Sequence, residues 1–112
     1  MAAALILTFT FVGCSKFGSD PKEVVVHFML SVKNERYDQA YSVASPTDRK
    51  NISLADFTEQ LSRETKRLPK MPEQPNVTIE INGTQGRARV LNWSMANEIK
   101  LVYLEGRWWI RK

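Results

Sequence analysis

Cys14 and His27 are the only thiol and the only imidazole in the sequence, and that limits its chemistry at once. A disulfide framework needs cysteines in pairs, and a structural zinc site needs about four ligands drawn mainly from Cys and His. Neither can form here in the ordinary way. His27 follows Glu23 and precedes Ser31 at four-residue spacing, which brings side chains together on a helix. One reading makes His27 a proton shuttle assisted by Glu23. The other, which we prefer, makes it a solvated helix residue in a weak pair. Tyr41, Asn92 and Tyr103 carry groups able to donate hydrogen bonds into a pocket, with Trp108 as an apolar wall. Donors without a base bind a ligand rather than transform it, because proton abstraction needs a tuned base within reach. The same aromatic residues also serve a plain core, which is the preferred reading. The sequence contains no glycine-rich phosphate loop, metal-ligand spacing or nucleophile elbow. Basic residues do cluster. Arg63, Lys66, Arg67 and Lys70 share one stretch; Arg89, Arg107, Arg111 and Lys112 share another, accompanied by Trp93 and Trp109.

Hydrophobic residues at 43% and charged residues at 25% are ordinary for a globular chain, and 112 residues make one domain. The formal net charge of +4 is mild and gives little reason to expect a polyanionic partner. Residues 2–13, AAALILTFTFVG, carry no charge. As a helix this run is roughly 18 Å long, well short of a hydrocarbon core of about 30 Å. An apolar run of this length, ending in a small residue, fits a signal peptide. Cys14 follows at once, in Phe11-Val12-Gly13-Cys14. That resembles the lipobox of bacterial lipoproteins, with Phe11 where leucine is usual. The resemblance implies cleavage before Cys14 and acylation of its thiol, a role that suits an unpaired cysteine. One acyl chain anchors marginally and two or more anchor stably. The multiply acylated cysteine implied by the resemblance anchors stably. The alternative is an N-terminal core segment with a buried cysteine. The chain then divides into a signal peptide (1–13), the lipidated Cys14 with a short tether (14–20), and a folded domain (21–112). The six residues Ser15 to Asp20 reach at most about 20 Å, which keeps the domain near the bilayer.

Elements must hold these residues. Asp20-Pro21 predicts a helix start, and the helix runs to about Asn34. Val25, Phe28, Met29 and Val32 share one face, with Val24 at its edge. A second helix is predicted from Tyr37 to Ala44, ended by Ser45-Pro46. A third starts at Ser53, with Asp56 three residues on, and ends before Pro69. Leu54, Phe57, Leu61 and Leu68 form its apolar stripe. Lys70 to Pro75 is a linker. Beyond it the helical period gives way to alternation. Strands are predicted at Val77–Asn82, Arg87–Trp93, Glu98–Leu104 and Arg107–Arg111, with turns at Asn82-Gly83, Ser94–Asn97 and Glu105-Gly106. A two-residue turn at Glu105-Gly106 sets Tyr103 opposite Trp108 and Leu101 opposite Ile110. A four-residue turn at Ser94–Asn97 sets Val90 opposite Leu101 and Ala88 opposite Tyr103. One face then carries Val77, Ile79, Ile81, Ala88, Val90, Leu101, Tyr103, Trp108 and Ile110. The other carries Arg89, Leu91, Val102, Trp109 and Arg111. Trp108 is expected in the core and Trp109 on the surface.

Three N-terminal helices packed on an antiparallel four-stranded meander make an α+β fold. Phe28, Tyr37-Asp38-Gln39-Ala40-Tyr41, Ala88-x-Val90 and the run from Leu101 through Gly106-Arg107-Trp108-Trp109-Ile110 carry a resemblance to a family. They resemble the nuclear-transport-factor-2-like superfamily, and most of all its small bacterial lipoproteins, a group without an assigned activity. The resemblance covers about residues 20–112. It implies a curved sheet wrapped around helices as a cone, with an early edge strand between the second and third helices, at 46–53. It also implies that an enzyme, such as the superfamily's steroid isomerases and dehydratases, would keep an acid–base group inside the cone. The register places no Asp or Glu there: Glu80 and Glu98 point outward, and Glu105 sits in a turn.

The expectation is therefore a non-enzymatic, cofactor-free lipoprotein, held at a membrane of the bacterial cell envelope outside the cytoplasm. It would bind an envelope protein, or an anionic lipid or polymer, through the outer face that carries Arg89, Trp93, Trp109 and Arg111. One alternative is a small-molecule carrier using the cone interior around Tyr41, Asn92, Tyr103 and Trp108. Another is an isomerase- or dehydratase-like enzyme. Arginine beside exposed aromatics can also bind single-stranded nucleic acid, but export argues against that partner.

Overall fold

The computed structural model describes residues 18–93 and 98–112. Cys14, the apolar run before it and the Ser94–Asn97 turn lie outside the described residues. Helix α1 spans Pro21–Lys33. The Asp20 carboxylate accepts the Lys22 N–H at 2.9 Å and Pro21 occupies the first turn, so the cap forms as its residues predict. Val24, Val25, Met29 and Val32 are buried, and Phe28 is half-buried. The helix ends in a Schellman turn. The Arg36 N–H donates to the Ser31 carbonyl at 2.7 Å, and the Glu35 N–H donates to the Val32 carbonyl at 3.1 Å. Glu35 takes φ 58°, a conformation usually left to glycine. Helix α2, Tyr37–Ser42, then packs on α1.

The helices number four among the described residues, which corrects the expectation of three. Helix α3 spans Pro46–Asn51. The Ser45 hydroxyl accepts the Asp48 N–H at 3.2 Å, Pro46 opens the first turn, and Arg49 and Lys50 lie in the last. Residues 46–53 therefore do not supply the edge strand that the family resemblance implies. A shorter segment just before them runs along the last strand instead. The Ile110 N–H donates to the Val43 carbonyl, and the Ser45 N–H to the Ile110 carbonyl, both at 2.8 Å. This makes a single parallel bridge at Ala44 and covers part of the sheet's edge. Helix α4 spans Leu54–Arg67, is capped by the Ser53 hydroxyl, and packs on α2 and α1 without fully burying any residue.

The sheet is antiparallel in the order β1-β2-β3-β4: Val77–Asn82, Gln85–Val90, Ile99–Leu104 and Arg107–Arg111. Tyr103 pairs with Trp108 and Leu101 with Ile110, as the turn at Glu105-Gly106 predicts. Both turn residues have positive φ, 54° and 79°, which suits a type I′ hairpin. The β2–β3 register is a correction. Leu101 faces Gly86 rather than Val90, and Ala88 faces Ile99 rather than Tyr103. The strand read as Arg87–Trp93 is Gln85–Val90, so β2 ends before Leu91, and β3 starts at Ile99 rather than Glu98. A shift by an even number of residues leaves each side chain on its own face, so the apolar face survives.

That face packs under α1. Val24, Val25 and Met29 meet Val43, Val77, Ala88, Leu101, Trp108 and Ile110 in one buried cluster. The opposite face corrects a second expectation: Trp109 is 7% exposed, as buried as Trp108. Val102, directly opposite on β3, is 9% exposed. The indole Nε1 of Trp109 donates to the Leu104 carbonyl at 2.9 Å. The guanidinium groups of Arg49 and Arg107 lie over its ring. Trp109 is covered because α3 brings Arg49 across it, an element that the three-helix reading lacked. Gly18 approaches from the N-terminal side, so close that a Cβ there would stand 2.6 Å from the Arg107 Cβ. Among the described residues no helix is long and apolar enough to cross a membrane.

Candidate functional site: a cleft between α3, α4 and the end of β4

Phe57 and Leu61 stand four residues apart on α4, so they project from one face. Neither is fully buried. Below them lie Phe28 of α1 and Ile110 of β4, and together these four line a half-open cleft of about 560 Å³. Its rim is polar: Asp48, Asp56 and Glu64 on the helices, with Arg111 and Lys112 at the chain's end.

Local contacts hold the walls apart. The Tyr41 hydroxyl lies 3.0 Å from the Arg49 carbonyl and 2.7 Å from the Ile52 carbonyl, and donates its one proton to that pair. It thereby caps the end of α3. Its ring meets Phe57 edge-on, with centroids 5.1 Å apart. Across the cleft, the Lys112 N–H donates to the Asp48 carboxylate at 2.8 Å, tying the end of β4 to α3.

The floor is apolar and the charges are peripheral. Asp56 and Glu64 are exposed on α4, and Glu64 accepts a hydrogen bond from the Gln60 amide at 3.4 Å. Asp48 is half-buried and already accepts from Lys112. Acid–base catalysis by a carboxylate draws on apolar surroundings around the acid itself, whereas here the acids stand above the apolar surface. An apolar bed with a few polar groups at its mouth is the general form of a binding site. Among the described residues no group of His, Cys, Asp and Glu could hold a metal ion.

The four residues read as a pocket are not gathered into one. Tyr41 stands at the corner of the cleft with its hydroxyl turned to backbone carbonyls. Asn92 lies beyond β2, where it accepts the Asn76 N–H at 2.8 Å and donates to the Gln74 carbonyl at 3.0 Å. Tyr103 is 39% exposed and meets Trp108 edge-on at 5.2 Å. Trp108 belongs to the core.

The four residues read as an interaction face are dispersed too. Trp93 packs against the core and donates from Nε1 to the Pro69 carbonyl at 3.1 Å. Trp109 is buried. Arg89 pairs with Glu98 at 3.6 Å, while Arg111 reaches the cleft rim. Arg87 bonds to Glu80 and lies 4.0 Å from Glu98. Its guanidinium is held above the usual range by the Glu80 hydrogen bond, then by the charges of Glu80 and Glu98. On the outer sheet Arg87 and Arg89 are thus matched by Glu80 and Glu98. His27 is half-buried, and its carbonyl accepts the Ser31 hydroxyl at 2.7 Å. Sequence reading missed the cleft because it missed α3. The available signal was the Phe57–Leu61 stripe on an otherwise charged helix.

The chain matches no protein-family model and no curated protein.

Proposed function

We propose that the chain is a non-enzymatic binding module of the bacterial cell envelope, tethered to a membrane through acylated Cys14, and that it holds an apolar group in the cleft under α4. The observation that carries the binding role is the cleft's floor of Phe28, Phe57, Leu61 and Ile110, left half open beneath a helix with no buried residue. The tether is supported by the lipobox-like Phe11-Val12-Gly13-Cys14. Kinship with the nuclear-transport-factor-2-like superfamily is part of the proposal. Helices over one face of an antiparallel meander support it. The carboxylates at the rim are the one feature that favours an isomerase-like reading; the exposure of Asp56 and Glu64, and the hydrogen bond that Asp48 already accepts from Lys112, favour binding over catalysis. The binding surface proposed here is the cleft and not the outer sheet, where Arg87 and Arg89 are already paired with Glu80 and Glu98.

Titrating the full chain with the neutral fluorophore N-phenylnaphthylamine tests the proposal. Leu61→Asp places a charge on the floor and should weaken binding about tenfold or more, the equivalent of about 1.4 kcal/mol. Arg89→Glu, on the outer sheet, should leave binding unchanged. Undiminished binding by a folded Leu61→Asp chain would overturn the assignment to the cleft.

A further inference from the structure

The charges at the mouth of the cleft fall into two groups that do not meet. Asp48 on α3 and Asp56 and Glu64 on α4 stand along the helical walls, while Arg111 and Lys112 stand at the end of β4. Among the described residues, none of the three carboxylates forms an ion pair. Glu59, also on α4, differs, since it pairs with Arg63 at 3.5 Å. Asp56, Gln60 and Glu64 follow one another at four-residue spacing, so they make one polar row along α4. Phe57 and Leu61 make the apolar row beside it, and Leu61 and Glu64, three residues apart, are neighbours on the helix surface. The carboxylates of α4 therefore run along the lip of the apolar floor. Charge of one sign beside low-dielectric walls concentrates the field at such a lip. Arg111, in contrast, also borders a second hollow on the outer sheet, whose lining includes Glu80.

We propose that the cleft takes a long-chain amine, with its alkyl chain on the floor of Phe28, Phe57, Leu61 and Ile110 and its ammonium head at the lip formed by Asp56 and Glu64. This names the ligand class for the cleft proposed above and rests on that reading; it does not rest on the membrane tether. A space of about 560 Å³ suits one small ligand. An ammonium group has three donors and no acceptor, and an ionised carboxylate only accepts. The head and the row on α4 are therefore complementary in both charge and hydrogen bonding. A carboxylate head on the same chain meets repulsion from that row. Asp48, on the facing wall, adds to the same field, although its oxygen already accepts the Lys112 N–H. The floor accounts for the apolar part of the ligand, and the unpaired row for the sign of its head.

The test displaces N-phenylnaphthylamine from the full chain at neutral pH and low salt with dodecylammonium and, separately, with dodecanoate, each below its micelle concentration. The two share one alkyl chain, so the ratio of their displacing concentrations reads the head alone. Dodecylammonium should displace at a concentration at least about fivefold lower, the scale of exposed charge pairs. Raising the salt to about 0.5 M should shrink that ratio, because exposed charges are screened. Asp56 and Glu64 are exposed, so exchanging them leaves the core alone. The double variant Asp56→Asn, Glu64→Gln should bring the ratio within about twofold of one. Glu59→Gln, where the native carboxylate is already paired, should keep it. A fall in the unfolding midpoint of the double variant would call for Glu64→Lys alone, which should reverse the ratio. Equal displacement by the two ligands, better displacement by dodecanoate, or a ratio unmoved by the α4 variants would overturn the amine and leave the cleft standing. A native chain that binds neither N-phenylnaphthylamine nor dodecylammonium, the latter read from the unfolding midpoint, would overturn both.

Discussion

Trp108 and Trp109 stand side by side on β4, face opposite ways, and are each 7% exposed. Strand alternation fixes which side each ring faces. It says nothing about what covers that side. Trp108 meets the core, whereas Trp109 is covered by two arginine side chains and bonded to the Leu104 carbonyl. Truncating either ring should therefore be severe. Trp108→Ala and Trp109→Ala should each cost about 3–5 kcal/mol. Trp109→Phe keeps an aromatic ring under the arginines and loses the N–H bond, so it should cost about 1–2 kcal/mol. Urea denaturation midpoints of the three variants check this order. A near-native midpoint for Trp109→Ala would mean that the outer ring is not packed as described. The inward face of Trp108 was readable from residues because the Glu105-Gly106 turn permits only one register. The burial of Trp109 was not, since it depends on a helix distant in sequence.

Helix α3 shows why that element escaped. Six residues give too little length for an apolar period, and none of them is buried. Its start signals were present, with Ser45 as cap, Pro46 in the first turn and Asp48 behind them. The same Ser-Pro pair also ends the preceding helix, and that reading prevailed. The β2–β3 register escaped for a related reason. The connection between β2 and β3 has no glycine or proline that dictates its length, whereas positive φ at Glu105 and Gly106 dictates a two-residue turn. Helices α1, α2 and α4 stand where the residues predict them; α1 and α4 have both a cap and a long stripe, and α2 is found by its Tyr37, Ala40 and Tyr41 spacing and the Ser45-Pro46 stop.

Two predictions belong to these elements. Glu35 ends α1 in the left-handed conformation. Glu35→Gly should relieve roughly 1–2 kcal/mol of strain against about 0.5–1 kcal/mol of chain entropy. The net gain should be about 0.5–1 kcal/mol, seen as a higher denaturation midpoint; a loss would mean that Glu35 makes compensating contacts. Helix α4 buries no residue, and its Leu54 is 42% exposed. Elements with little burial open first. Brief trypsin digestion should cut at Arg63, Lys66 or Arg67 before Lys100 in β3, and the reverse order would show that α4 is the better held of the two.

The two functions proposed for the molecule fall at separate places. Gly18 packs against Arg107 on the outer side of β4, while the cleft opens where α3, α4 and the end of β4 meet. Tether and binding site should therefore be separable. Cys14→Ser should move the protein from the membrane fraction to the soluble fraction, or stop its processing, and should leave N-phenylnaphthylamine binding intact. Retention of processed Cys14→Ser protein on membranes would contradict anchoring through that thiol.

Amide hydrogen exchange of the full chain, with and without saturating N-phenylnaphthylamine, tests binding in the cleft most directly. Slowed exchange across α3, α4 and the last residues of β4, spanning 46–67 and 108–112, is the predicted result. Slowed exchange confined to β2 and β3, spanning 85–90 and 99–104, or no change at any residue, would contradict it.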